Sequence, residues 1–218
     1  MSKTIATAAL TALCLIFVSS PLLAGTSGNP GEEGTALPSS PVVLPVATGK
    51  NVFISQVGQE NHASVDQYAA AGYASVTQQG ESNNAEVVQH GVELAYADVS
   101  QDGIANDAAV AQSGLAPNVV HIGQEGNDNR LTSTQSNVGA IYNAARMSQT
   151  GDRNVMSLLQ SGDDNQADLA QLGNDNSMFA EQNGAGNRLE WTQEGDNLSA
   201  PTIIQNGGSS IQVTQTGG

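Results

Sequence analysis

Basic side chains are nearly missing from this chain: six Lys and Arg stand against 21 Asp and Glu in 218 residues, a formal net charge of -15. Nucleic acid is excluded as a partner, because holding phosphates requires clustered Lys and Arg. Aromatic residues make up only 4%, with a single Trp, too little to fill a conventional core of this length but adequate for a thin stacked array. The one cysteine, Cys14, lies near the N-terminus. No disulfide can therefore staple the chain, and stability must come from backbone ladders and side-chain stacking. Beyond Val18 no apolar stretch is long enough to span a membrane as a helix. Charged residues of both signs come to 12%, leaving Gln, Asn, Ser, Thr and Gly to form most of the surface. Such a polar, acidic composition also suits a disordered chain, but the regular spacing of Val, Leu, Ile and Ala argues for order.

The N-terminal segment reads as an address. Lys3, an apolar run from Ile5 to Val18, and Ser19-Ser20-Pro21-Leu22-Leu23-Ala24 predict a signal peptide over residues 1–24, cleaved near Ala24. The mature chain is expected to be secreted, with Cys14 removed; Leu13 is not the small residue that a lipoprotein signal needs before its cysteine. Residues 25–49, rich in Gly and Ser and carrying Pro38, Pro41 and Pro45, predict an extended or flexible spacer. Residues 50–218 form the repeat region.

Glutamine returns through that region at a nearly fixed interval. The stations are Gln56, Gln67, Gln78, Gln89, Gln101, Gln112, Gln124, Gln135, Gln149, Gln160, Gln171, Gln182, Gln193, Gln205 and Gln215. Ten of the fourteen intervals are 10 or 11 residues, three are 12 and one is 14. Self-similarity at a fixed period marks a stacked array and not a globular enzyme core. Counting back six, four and two positions from a glutamine gives Asn61-Ala63-Val65, Asn83-Ala85-Val87, Asn106-Ala108-Val110, Asn154-Met156-Leu158, Asn165-Ala167-Leu169 and Asn187-Leu189-Trp191. A period of two puts these side chains and the glutamine on one face of a strand. The expected core is Val65, Val76, Val87, Val99, Val110, Ile122, Leu158, Leu169 and Trp191, with a small neighbour such as Ala180 making room for the indole.

An eleven-residue period can also specify a right-handed coiled coil. Against it, glycine follows two residues after most glutamines, at Gly58, Gly80, Gly91, Gly103, Gly114, Gly126, Gly151, Gly162, Gly173, Gly184 and Gly195. Each would cost a helix interior about 1 kcal/mol. The Gly-x-x-Asn tetrads read instead as tight turns, Gly supplying positive φ and Asn or Asp tolerating it. The expected fold is all-β: a β-solenoid of about seven 22-residue strand-turn-strand coils, two eleven-residue halves each, roughly 35 Å tall at about 4.8 Å per coil. Stacked Gln56 through Gln193, with Asn61, Asn83, Asn106, Asn129, Asn154, Asn165, Asn176 and Asn187, are expected to hydrogen-bond amide to amide along the axis.

Signs of other chemistry are missing from the sequence. His62, His90 and His121 share no ligand-like spacing, there is no nucleophile elbow or phosphate loop, and Arg130, Arg146, Arg153 and Arg188 are scattered. No catalytic residue, metal site or cofactor is expected, nor an enzyme. Calcium-binding nonapeptide repeats differ in period and in their glycine pairs, and an ice-binding face would need a uniform outward row of Thr. Asp and Glu crowd the turns Gly126–Asn129, Gly162–Asn165 and Gly173–Asn176. Stacking like charges there predicts that acid pH or divalent cations should speed assembly.

The segment Gln56-Val-Gly58-Gln-Glu-Asn61-His-Ala63-Ser-Val-Asp-Gln67 resembles the curlin repeat of bacterial curli subunits, Ser-x5-Gln-x-Gly-x-x-Asn-x-Ala-x3-Gln. The match recurs at Gln78-Gly80-Asn83-Ala85-Gln89, Gln101-Gly103-Asn106-Ala108-Gln112 and Gln160-Gly162-Asn165-Ala167-Gln171, with Asn usually replacing the leading Ser. The resemblance implies a functional-amyloid subunit, exported through an outer-membrane secretion pore and polymerised with itself and other curli-type subunits into adhesive biofilm fibres at the cell surface. A minor or nucleating subunit, or a secreted solenoid that binds a ligand or calcium without polymerising, is the alternative. Terminal coils without proline or a capping helix, near Val52 and Ile54 and near Ile211 and Val213, are expected to be open edges at which copies add end to end.

Overall fold

The computed structural model describes residues 49–68, 71–91, 94–199 and 202–217. The expected signal peptide and, but for Gly49, the spacer lie outside the described residues. The remainder is strand and turn. In chain order the strands are β1 (Lys50–Gln59), β2 (His62–Gln67), β3 (Gly72–Glu81), β4 (Asn84–His90), β5 (Ala95–Ile104), β6 (Asp107–Gly114), β7 (Asn118–Asn127), β8 (Arg130–Asn137), β9 (Asn143–Thr150), β10 (Val155–Ser161), β11 (Gln166–Leu172), β12 (Ser177–Asn183), β13 (Arg188–Glu194), β14 (Ile203–Asn206) and β15 (Ser210–Thr216).

Successive strands alternate between two parallel sheets. The odd-numbered strands make an eight-stranded sheet in the order β1-β3-β5-β7-β9-β11-β13-β15, and the even-numbered strands a seven-stranded one, β14-β12-β10-β8-β6-β4-β2. Each strand thus pairs with the strand two places on. Glutamine always lies on glutamine: Gln78 on Gln101, Gln112 on Gln135, Gln171 on Gln193. The chain winds as a β-solenoid of about seven turns. Parity enforces this register, since a slip by one residue would turn the whole apolar set outward.

Between the sheets runs one continuous core. It holds Ala74, Val76, Val99, Ile122, Met147, Leu169 and Trp191 from the larger sheet and Val87, Val110, Leu131, Met156, Leu158 and Ala180 from the smaller. Trp191 is 1% exposed and shares the core with Ala180. Each Val or Leu so buried contributes about 1.5–3 kcal/mol relative to exposure. Val65 is half-buried, because its coil is the first and has a neighbour on one side only.

Among the described residues two buried side-chain polar atoms have no hydrogen-bond partner, Trp191 Nε1 and Ser133 Oγ. Ser133 occupies a position filled by Val110 and Leu158 on the flanking strands. Replacing it with Val supplies a methyl and removes an orphaned hydroxyl, a group that costs about 1–3 kcal/mol when buried unpaired. Ser133→Val is expected to raise the guanidinium unfolding midpoint, by a free energy of about 1 kcal/mol.

The longer intervals are absorbed outside the strands. Gln89 to Gln101, Gln112 to Gln124 and Gln135 to Gln149 each lengthen a connection from the seven-stranded to the eight-stranded sheet, and a fourth interval, Gln193 to Gln205, adds one residue to a connection in the other direction. The ladder register stays intact across the first three.

Candidate functional site

The repeat glutamines form two columns along the axis. Gln56, Gln78, Gln101, Gln124, Gln149, Gln171, Gln193 and Gln215 make one, and Gln67, Gln89, Gln112, Gln135, Gln160, Gln182 and Gln205 the other. In every step Nε2 donates to Oε1 of the glutamine one coil on, at 2.7–3.0 Å. The second amide hydrogen of each glutamine from Gln67 to Gln205 goes to a backbone carbonyl on the opposite sheet, as from Gln78 to His62 and from Gln135 to Val119, both 2.9 Å. That carbonyl always belongs to the residue five places before the preceding glutamine. An interior glutamine therefore spends both donors and its acceptor, which is what permits its complete burial.

Asparagines make parallel columns at the turn edges. Asn61, Asn83, Asn106, Asn129, Asn154 and Asn176 follow one another, as do Asn143, Asn165 and Asn187. Each Oδ1 accepts the backbone N–H of its successor, and Nδ2 donates to a glycine carbonyl of the next coil at 2.6–2.9 Å in the longer column. The columns end on Leu198 and Ser209, whose N–H groups close Asn176 and Asn187. Sequence reasoning missed Asn118, Asn137 and Asn143, all buried. Asn118 and Asn143 stand six places before Gln124 and Gln149, as the others do before their glutamines, but insertions separate them from the preceding turn. Asn137 clasps Ala116, accepting its N–H at 2.8 Å and donating to its carbonyl at 2.7 Å.

Gly58, Gly80, Gly103, Gly126, Gly151, Gly173 and Gly195 form a column of their own, with φ between 107° and 129° in common with Gly162 and Gly114; Gly184 has φ 82°. A Cβ on Gly126 would overlap the carbonyl of Gly151, and the same holds down the column. The expected positive φ on Asn or Asp of the turn is met at Asp128, Asp164, Asp175 and Asn197, but not at the asparagine that closes each tetrad. Positive φ, 55–58°, falls one place earlier, on Glu60, Ser82, Ala105, Asp128, Arg153, Asp164, Asp175 and Asn197. The asparagine must stay extended to aim its amide along the axis. The residue before it makes the reversal, and in the longer column its N–H is held by the preceding coil, as from Ser82 to Gln59 and from Ala105 to Glu81, both 2.9 Å.

Like charges do not stack at the acidic turns, contrary to expectation. Asn127, Asp152, Asn174 and Asp196 alternate on successive coils: Asn127 N–H and Nδ2 donate to Asp152 Oδ1, and Asn174 does the same to Asp196. Beside them Arg153 grips Asp175 through two bonds of 2.7 Å, and Arg188 binds Asp164 at 3.0 Å. Hydrogen bonding by Arg153 holds the Asp175 carboxyl below its ordinary value of 3.8. A depressed carboxyl stabilises the fold above its unfolded value and loses that contribution as pH falls through the folded one. Acid should thus loosen this turn. The guanidinium midpoint should fall more steeply below pH 4 in the parent than in Asp175→Asn, a comparison that isolates this pair. Asp168 has the opposite sign: burial foremost, then Glu190, raises its carboxyl against the pull of Arg146.

The outward faces carry little that converges. Tyr73 and Tyr96 stack at 4.9 Å with Phe53 and His121 tilted at either end, and burial, followed by Asp98, pushes the Tyr96 phenol up to about 12. Among the described residues no three acidic, His or Cys side chains gather as a metal would need, and no helix is long and apolar enough to cross a membrane. The two ends are the distinctive surfaces. At the N-terminal end β1 is exposed along its whole length, with Val52, Phe53 and Ile54 at 42, 56 and 41%. At the other end β14 and β15 are edge strands. The glutamine columns give the ends opposite character: Gln56 and Gln67 turn Oε1 to the N-terminal face, and Gln205 and Gln215 stand last at the other.

Residues 143–173 and 151–184 match the family model of the curlin associated repeat. No curated protein and no solved structure matches the chain. The matched segment runs from β9 through β12, including Gln149, Gln160, Gln171 and Gln182 with their turns.

Proposed function

We propose that this chain is a structural subunit of an extracellular curli-like amyloid fibre, acting in cell adhesion and biofilm matrix, and that it grows by adding copies end to end. The open ends carry the reading. Among the described strands β1 is paired on one side only, with β3, and exposes apolar side chains, where every interior strand is paired on both sides, and an uncovered edge is a template for another chain. Because the two ends differ, contact between them is heterologous and does not close on itself, which yields a filament. The curlin repeat at 143–184 supports the same reading.

On this reading residues 1–24 direct export, 25–49 act as spacer and 50–218 form the stacking unit. The chain passes unfolded through an outer-membrane pore and partners copies of itself and other curli-type subunits. The amide columns serve as continuing templates, the glycine column keeps the coils close, and the core holds the sheets together. No catalysis and no cofactor enter into it.

Thioflavin T fluorescence with fibre X-ray diffraction tests the proposal on chain freshly released from denaturant at neutral pH. Sigmoidal growth and a meridional reflection near 4.7 Å are expected. A strand-rich species that stays monomeric would overturn it.

A further inference from the structure

The strand count among the described residues is odd, eight in one sheet and seven in the other. The two sheets are nevertheless chemically alike. From Gln67 to Gln205 every glutamine reaches the same carbonyl, five places before the preceding glutamine, whether it starts from one sheet or the other. One eleven-residue step is therefore a half-turn about the solenoid axis with a rise of half a strand spacing, about 2.4 Å. Fifteen strands leave the chain half a turn short of a whole number of coils. The next vacant place beyond β15 lies on β14, in the opposite sheet.

We propose that successive subunits in the fibre are related by a half-turn about its axis, so that β1 of the next copy pairs with β14 and its β2 pairs with β15. This rests on the reading of the chain as a self-assembling subunit. Each face of the fibre then alternates eight-stranded and seven-stranded sheets. In this register Gln56 of the next copy sits on Gln205 and Gln67 on Gln215, which continues both amide columns in their existing direction. Ile54 falls on Ile203, Val65 on Val213 and Ala63 on Ile211, extending the apolar columns. Stacking without rotation, β1 on β15, also matches glutamine to glutamine. It leaves one strand place empty between β14 and the next β2, with the backbone groups of both strands unpaired inside the fibre. The odd count thus selects the rotated joint.

Cysteine pairs distinguish the two joints, because directly opposed residues on paired strands lie at disulfide distance. Ser55 opposes Ile204 in the rotated joint and Thr214 in the unrotated one, and Asp66 opposes Thr214 only in the rotated joint. These positions stand at opposite ends of one subunit, so a bond between them joins two chains. In the full chain carrying Cys14→Ser, fibres of Ser55→Cys/Ile204→Cys and of Asp66→Cys/Thr214→Cys should oxidise to a ladder of multimers on a non-reducing gel. Ser55→Cys/Thr214→Cys should remain monomeric. Unmodified fibres imaged by cryo-electron microscopy should repeat every two subunits, about 72 Å, and not every one, about 38 Å with the empty strand place. Fibres that link through Ser55→Cys/Thr214→Cys, that link through none of the pairs, or that repeat every subunit overturn the half-turn and leave self-assembly standing. Failure of the unmodified chain to form fibres overturns self-assembly, and the half-turn falls with it.

Discussion

Gly126→Ala is expected to prevent the solenoid from forming at all. Two independent penalties meet at this residue. Its φ of 117° lies where an L side chain is strained, and the new Cβ would overlap the carbonyl of Gly151 on the next coil. Neither penalty can relax locally, because Gly103 presses on Gly126 as Gly126 presses on Gly151. Moving one glycine moves the column, along with the Asn106 amide that donates to the Gly126 carbonyl. The combined cost should exceed about 4–5 kcal/mol, a large share of the stability of any single domain. Gly207→Ala is the matched control. Its φ of 68° is reachable by a non-glycine residue and nothing lies within 4 Å of its Cβ position, so it should cost about 1 kcal/mol. Far-ultraviolet circular dichroism of the freshly refolded chains should show strand in the control and none in Gly126→Ala. Equal spectra would mean that the glycine column does not govern folding.

Gln135→Leu should be the next most damaging change. The substitution keeps the side chain's bulk and deletes its bonds. Gln112 loses its acceptor, the Gln160 oxygen loses its donor, and the Val119 carbonyl loses a donated hydrogen, all in fully buried surroundings. With about 1–3 kcal/mol for each orphaned group, a loss of roughly 3–5 kcal/mol is expected. The same change at Gln56, which is exposed and has a coil on one side only, should cost under about 1 kcal/mol. The difference between the two in guanidinium midpoint measures what burial adds to the ladder. In fibres it should vanish, since Gln56 would then be interior as well.

The architecture was legible because each half-coil must offer the same amide at the same height, and that demand is written as a period. Parity then chose the inward face, and Val76, Val87, Leu169 and Trp191 are all buried. Asn118 and Asn143 escaped because insertions separate them from the preceding glycine and break the Gly-x-x-Asn signature, although both stand six places before a repeat glutamine as the others do. The left-handed residues were legible in part: Asp128, Asp164, Asp175 and Asn197 are of the types expected to tolerate positive φ in the turns, whereas Glu60, Ser82, Ala105 and Arg153 have no composition in common, and the preceding coil holds Ser82, Ala105 and Arg153 through a backbone bond. Charge pairing was beyond reach as well. Arg153 meets Asp175 at a separation of 22 residues and Arg188 meets Asp164 at 24, so the partners can be read only once the length of each coil is known.

The lengthened connections between the seven-stranded and the eight-stranded sheet give the solenoid one permissive margin. One or three extra residues there leave every ladder in place, whereas the opposite margin, held by its glycine column, gains a single residue, between Gln193 and Gln205. With successive subunits related by a half-turn, foreign sequence spliced into the stretch between Asn137 and Asn143 would be carried once per subunit, on alternating sides of the rod. The molecule is thus a ruler with a blank edge, on which epitopes, enzymes or metal-binding peptides can be set out at regular distances.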